Sequence, residues 1–75
     1  MDEKFIGMFR EVLENDEKTL MPGDKFRDFE EWSSLAYLAL IAMIDSEYGV
    51  VIEAKDFKQL VTVGEVYDEI IRRTA

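Results

Sequence analysis

The sequence predicts an all-α fold: a four-helix bundle with three longer helices, a short third helix and a long loop between the first two. Two amphipathic segments near the chain ends carry apolar residues at helical spacing. Between them, ten consecutive apolar residues run from Leu35 to Ile44, opened by Ser33 and Ser34 and followed by Gly49. No pair of alternating segments suggests a sheet, so helix on helix is the available way to bury this apolar surface.

In the first helix, Phe5, Met8, Phe9, Val12 and Leu13 recur at i, i+3, i+4, i+7 and i+8, with Glu3, Lys4, Arg10, Glu11 and Glu14 on the other side. Asp2 is placed to cap it. Residues 15–32 then show no sustained periodicity and hold the single proline, Pro22, beside Gly23. A connection that long must pack on the core in so small a chain, and Leu20, Met21, Phe26 and Phe29 are its expected anchors. The second helix is expected from Ser34 to Tyr48, with Gly49 as a left-handed C-cap. It is apolar all round, which normally means burial on most sides. A small domain cannot enclose it fully, so part of the set Leu35, Ala36, Tyr37, Ala39, Ile41 and Met43 is expected to stay accessible as a partner patch. The alternative is that the long loop and the short third helix cover it.

Val50, Val51 and Ile52 read as an extended link inserted into the core, since a lone strand has no partner. Residues 54–60 suit a short helix anchored by Phe57 and Leu60. The last helix opens with a capping box, Thr62 and Glu65, and shows one apolar face of Val63, Val66, Tyr67, Ile70 and Ile71. Arg72 and Arg73 fall in its final turn, where they complement the helix dipole.

Composition narrows the function. At 75 residues the chain is expected to form a single domain, residues 1–75. With 17 acidic and 9 basic residues its net charge is -8, which argues against nucleic acid and against an anionic membrane surface. There is no Cys and no His, hence no disulfide, no thiolate and no imidazole base or metal ligand. The N-terminus has no signal-peptide pattern, and the apolar run is short of the roughly 20 residues of a membrane span. A cytoplasmic location is therefore expected, with no membrane insertion.

The acidic cluster Asp28, Glu30 and Glu31 lacks the D-x-D-x-D-G loop of calcium sites, so no metal site is expected. No glycine pattern cradles a phosphate, and a serine nucleophile has no histidine to activate it. An enzyme is not expected. Between Arg27 and Lys55 there is no basic residue, while Asp28, Glu30, Glu31, Asp45, Glu47 and Glu53 are acidic. A partner docking on the second helix thus meets an acidic rim around an apolar centre and should itself present Lys or Arg. From the block that contains this helix, the expected partner-binding residues are Glu31, Trp32, Leu35, Tyr37, Ile41 and Asp45.

The segment Ser33-Ser34-Leu35, followed by Leu38, Leu40, Ile44 and Tyr48, then Gly49-Val50-Val51-Ile52 and the Thr62-Val63 helix start, resembles the acyl carrier proteins. The resemblance covers nearly the whole chain. It implies a four-helix acyl-carrier-like bundle in which the serine of an Asp-Ser-Leu motif bears a 4′-phosphopantetheine arm. Ser34 matches the attachment serine, and Ser33 and Leu35 flank it. The implied role is to hold an acyl or aminoacyl group as a thioester on that arm. Implied partners are a phosphopantetheinyl transferase, an acyl- or aminoacyl-loading ligase and a downstream synthase or transferase, with the carrier itself a monomer. A short acyl chain would shelter in the core. Trp32 just before the motif resembles the subgroup of discrete carriers found beside polysaccharide, amino-acid or specialised-metabolite enzymes, and the family resemblance implies lipid or specialised-metabolite biosynthesis as the setting.

The physical logic agrees, because a helix N-terminus favours a phosphate and the arm supplies the thiol the chain lacks. In this reading one serine caps the helix and the other tethers the arm. The chain departs from the family at Ser33, where an aspartate helps place the Mg²⁺ used by the transferase, and Glu31 is the carboxylate left nearby. Ala36 and Ala39 stand where fatty-acid-type carriers often have acidic residues, which points to a dedicated partner set. The competing expectation is an unmodified interaction module of the same fold, in which both serines only cap a helix.

Overall fold

A computed structural model describes all residues from Met1 to Ala75. Helix α1 spans Glu3–Val12, a 3-10 turn follows at Phe26–Asp28, and α2 spans Ser34–Tyr48. Helix α3 is short, Ala54–Phe57, and α4 spans Val63–Thr74. There is one core cluster of 16 buried residues, all apolar. No helix is long and apolar enough to cross a membrane.

Local signals explain where most helices begin. Asp2 Oδ1 accepts the Phe5 N–H at 2.9 Å, so α1 is capped as its sequence suggests. At α4 the Thr62 side chain accepts the Glu65 N–H and Glu65 Oε1 accepts the Thr62 N–H, a complete capping box. Glu65 also accepts the Val61 N–H, and these backbone donors lower its pKa. Gly49 ends α2 with φ 67°, in the left-handed conformation, its N–H bonding to the Asp45 carbonyl.

The end of α1 uses different chemistry. Glu14 takes φ 56°, its N–H bonds to Glu11 O, and the Asn15 N–H bonds to Arg10 O, all at 3.0 Å for the two bonds. This is a Schellman stop with glutamate where glycine is usual, and Leu13 lies at the cap rather than inside the helix while remaining buried.

The long loop is held by three of its four expected anchors. Leu20 and Phe26 are buried and Phe29 packs on the core, but Met21 is 56% exposed and anchors nothing. Its place is taken by backbone bonds to the start of α4. The Val63 N–H reaches Asp24 O and the Gly64 N–H reaches Pro22 O, both at 2.9 Å. A side chain on Gly64 would bring its Cβ to 2.9 Å from Pro22 O, so the loop approaches α4 only because this residue is glycine. The loop spends its buried surface on Phe26 and turns Met21 outward.

Val50 and Ile52 are buried and Val51 between them is exposed, the alternation of an extended link pressed into a core. The short helix is four residues long; Lys58 and Gln59 continue it as turns closed by a Leu60 N–H to Phe57 O bond. Arg73 holds this region to α4. Its guanidinium contacts Glu69 at 2.6 Å, Asp56 at 3.1 Å and the Val51 carbonyl at 2.9 Å. Arg73, with Arg72, holds the Glu69 carboxyl below the usual carboxylate range.

Candidate functional site: a serine pair between two clefts

Helix α2 buries Ala36, Leu40 and Ile44, which lie one helical turn apart on a single stripe. The stripe packs against α1 and α4 and fixes the rotation of the helix, so its first residues stand at the surface. Ser33 is extended, φ -157° and ψ 173°, and its Oγ accepts the Ala36 N–H at 3.1 Å. Its carbonyl accepts the Tyr37 N–H at 2.9 Å. Ser33 is thus the N-cap: its carbonyl takes the first regular helix bond and its hydroxyl satisfies one of the four otherwise unpaired helix-start donors. The N–H groups of Ser34 and Leu35 remain open. Ser34 is the first helical residue, exposed, and its hydroxyl is not needed by the cap.

Two clefts flank this pair. The larger, about 420 Å³, lies between the start of α2, the 3-10 turn and α3. Ser33 and Ser34 edge it, Trp32, Tyr37 and Phe57 wall it, and Arg27 and Lys58 supply its charge. The wall is built of rings in mutual contact: Trp32 stacks nearly parallel to Phe57 at 6.3 Å between centroids, Tyr37 meets Phe57 edge-on at 5.0 Å, and Trp32 meets Phe26 at 4.8 Å. From Phe26 the chain of rings continues to Phe9 and Phe5 in the core. The smaller cleft, about 140 Å³, lies between the end of α1 and α2. Glu11, Glu14 and Glu31 give its charge, and Leu35, Ala36 and Ala39 its apolar floor.

The structure brings the expected site residues into unequal positions. Ser33, Ser34 and Leu35 are together and exposed, Leu35 at 76%. Trp32 and Tyr37 are half-buried cleft walls, Ile41 is half-buried, and Asp45 is exposed further along α2. Of the other residues expected at the accessible patch, Ala36 is buried, and Ala39 and Met43 are half-buried. Glu31 is engaged: Lys18 Nζ donates to Oε1 at 2.8 Å and Asn15 Nδ2 to Oε2 at 2.9 Å. Those bonds hold its carboxyl down at about 2, from an ordinary 4.5. It serves as a strut between the loop and the serine pair, so it is not a spare carboxylate for a Mg²⁺.

Three residues escape sequence reasoning. Leu38 is 60% exposed and forms a ridge with Leu35; the spacing of three was visible, but an all-apolar helix gives no sign of its outer face. Arg27 and Lys58 meet at one cleft from positions far apart in the chain, which no local pattern reveals. The interior is filled by Phe5, Phe9, Phe26, Leu40 and Ile44, all without exposure, and the space of ligand size lies beside Ser34 instead.

Four helices in this order, with a long first loop and an exposed serine opening the second, define the carrier fold. Two solved structures share it. The holo acyl carrier protein from Geobacter metallireducens matches with a TM-score of 0.82 and 23% identity over 93% of this chain and 80% of that one. A putative acyl carrier protein from Mycobacterium tuberculosis matches with a TM-score of 0.83 and 21% identity over 95% of each chain. Residues 3–70 match the family model described as a phosphopantetheine attachment site. The chain belongs to that family, the acyl carrier proteins, whose members carry groups and do not catalyse. No curated protein matches it significantly.

Proposed function

We propose that Ser34 bears the phosphopantetheine arm and that the protein presents an acyl or aminoacyl group, held on it as a thioester, to dedicated enzymes. The observation that carries this reading is the division of labour between the serines. Ser33 Oγ is committed to the Ala36 N–H, whereas Ser34 Oγ is exposed on the first residue of a long helix whose open N–H groups favour a phosphate. The arm supplies the thiol that a chain without cysteine lacks. Ser34 contributes the oxygen of the phosphodiester, Ser33 holds the helix start in register, and the buried stripe of α2 keeps that start at the surface.

A phosphopantetheinyl transferase, a loading ligase and a downstream synthase or transferase are the partners of this reading, in the cytoplasm. The Leu35 and Leu38 ridge offers them apolar contact and Asp45 a negative rim. Residues 1–75 act as one domain and a monomer. The test is intact mass after incubation with coenzyme A, Mg²⁺ and a transferase. The natural protein is expected to gain one arm and Ser34→Ala none, with Ser34→Ala still folded because the cap belongs to Ser33. Loading that survives Ser34→Ala contradicts the proposal.

One observation favours a second reading, an unmodified interaction module: Ser33 stands in place of the family aspartate, and Glu31 is tied to Lys18. If the natural chain is inert to the transferase and Ser33→Asp is readily loaded, that module is the function.

A further inference from the structure

We propose that the larger cleft binds an anion, held by Arg27 and Lys58 against its aromatic wall, and that this anion is part of what Ser34 carries. The inference rests on the reading of Ser34 as the attachment point. Two sources share the chemistry: the phosphodiester that joins the arm to Ser34, and a carboxylate at the free end of the cargo.

Charge is the first argument. The chain has 17 acidic residues for 9 basic ones, so a cation should easily find a carboxylate. The ion pairs formed use Lys18, Lys55, Arg72 and Arg73. Lys4, Arg10, Lys25, Arg27 and Lys58 have none, and of these Arg27 and Lys58 share one cleft, which no acidic residue lines. Two unpaired cations therefore converge on one concave site in a strongly acidic protein.

Geometry is the second. Arg27 is fixed without a counter-ion: its Nη1 and Nη2 groups donate to the Leu60 and Phe57 carbonyls, and its guanidinium lies 4.7 Å from the Phe26 ring centroid and 5.3 Å from that of Phe57. Such a group is held in place before a ligand arrives, and a guanidinium has five N–H donors, more than these two carbonyls consume. Lys58 is exposed on the turn after α3, where its backbone N–H closes the helix on the Ala54 carbonyl and its ammonium makes no hydrogen bond, so the side chain is free to swing over the cleft. The open Ser34 N–H at the start of α2 adds a third source of positive potential at the same edge. A volume of about 420 Å³ falls in the range of small-ligand sites, larger than a phosphate alone requires. The walls then receive the uncharged part that accompanies the anion.

The test is nuclear magnetic resonance on ¹⁵N-labelled protein, reading the Phe57 and Lys58 amides, the Trp32 indole and the Arg27 Nε–H. Four states are compared: unmodified, arm alone, arm with a carboxylate-ended acyl group, and arm with a neutral acyl group of similar length. Attachment is expected to shift these resonances, with the shifts lost in Lys58→Glu, kept in Lys58→Arg, and reduced as salt rises from about 0.05 M to about 0.5 M. Shifts complete with the arm alone assign the anion to the phosphodiester. Shifts that need the carboxylate-ended group assign it to the cargo. Equal shifts in the natural protein and Lys58→Glu overturn the inference. If Ser34 accepts no arm, the carrier reading fails instead, and titration of the unmodified protein with free pantetheine 4′-phosphate to tens of millimolar decides the cleft. Saturable shifts that Lys58→Glu abolishes support it, and their absence overturns it.

Discussion

The two clefts beside the serine pair are opposite in almost every respect. One is walled by aromatic rings and carries Arg27 and Lys58; the other has an aliphatic floor and carries Glu11, Glu14 and Glu31. Ser33 edges both, so a single N-cap residue is the seam between a positive and a negative surface. The difference teaches that a net charge of -8 says little about what a site accepts. On the proposed reading, the positive side suits what the protein carries and the negative side suits a basic partner.

Moving the loop that carries Arg27 tests whether the clefts are independent. Gly64→Ala would press a Cβ against Pro22 O at 2.9 Å and Pro22 Cβ at 3.0 Å. A loss of about 1–3 kcal/mol in denaturant unfolding is expected, as for overpacking. Resonances of Arg27 and Trp32 should shift while those of Leu35 and Ala39 stay in place. Shifts of equal size on both sides would show that the clefts move as one.

Cutting the seam has a smaller effect. Ser33→Ala removes the bond to the Ala36 N–H and should lower stability by about 1 kcal/mol. Faster amide exchange at the start of α2 should accompany it, seen from both clefts. An unchanged α2 start would mean that the cap contributes nothing to holding Ser34.

The negative side is sharpened by pH. The bonds from Lys18 and Asn15 depress the Glu31 pKa from 4.5 to about 2. Stability from a depressed carboxyl is fully present above its unfolded value and is lost as pH falls through the folded one. The stability difference between the natural protein and Glu31→Gln should therefore be constant above about pH 5 and shrink toward pH 2, as urea titrations at a series of pH values would read it. A difference that is flat across this window would remove Glu31 from the strut.

Legibility in the sequence followed the range of each signal. The Asp2 cap, the Thr62–Glu65 box and the Gly49 stop are written within four residues, and each stands where its pattern placed it. The stop of α1 was not legible, because Glu14 takes a left-handed conformation that sequence associates with glycine. Met21 was expected inside for its side chain, yet the loop is held by backbone bonds that residue type does not encode. The cap at Ser33 was readable and stands in the structure, but the clefts beside the serine pair were not. Arg27 and Lys58 become neighbours only through the packing of the 3-10 turn on α3, and Leu38 is outward only because Ala36, Leu40 and Ile44 turn inward.

The most direct measurement is fragment mass mapping of the protein after the transferase reaction, resolving Ser33 from Ser34. One arm is expected, on Ser34 alone, with Ser33 unmodified because its hydroxyl closes the helix. An arm on Ser33, or on neither serine with a transferase from the same source, would contradict that expectation.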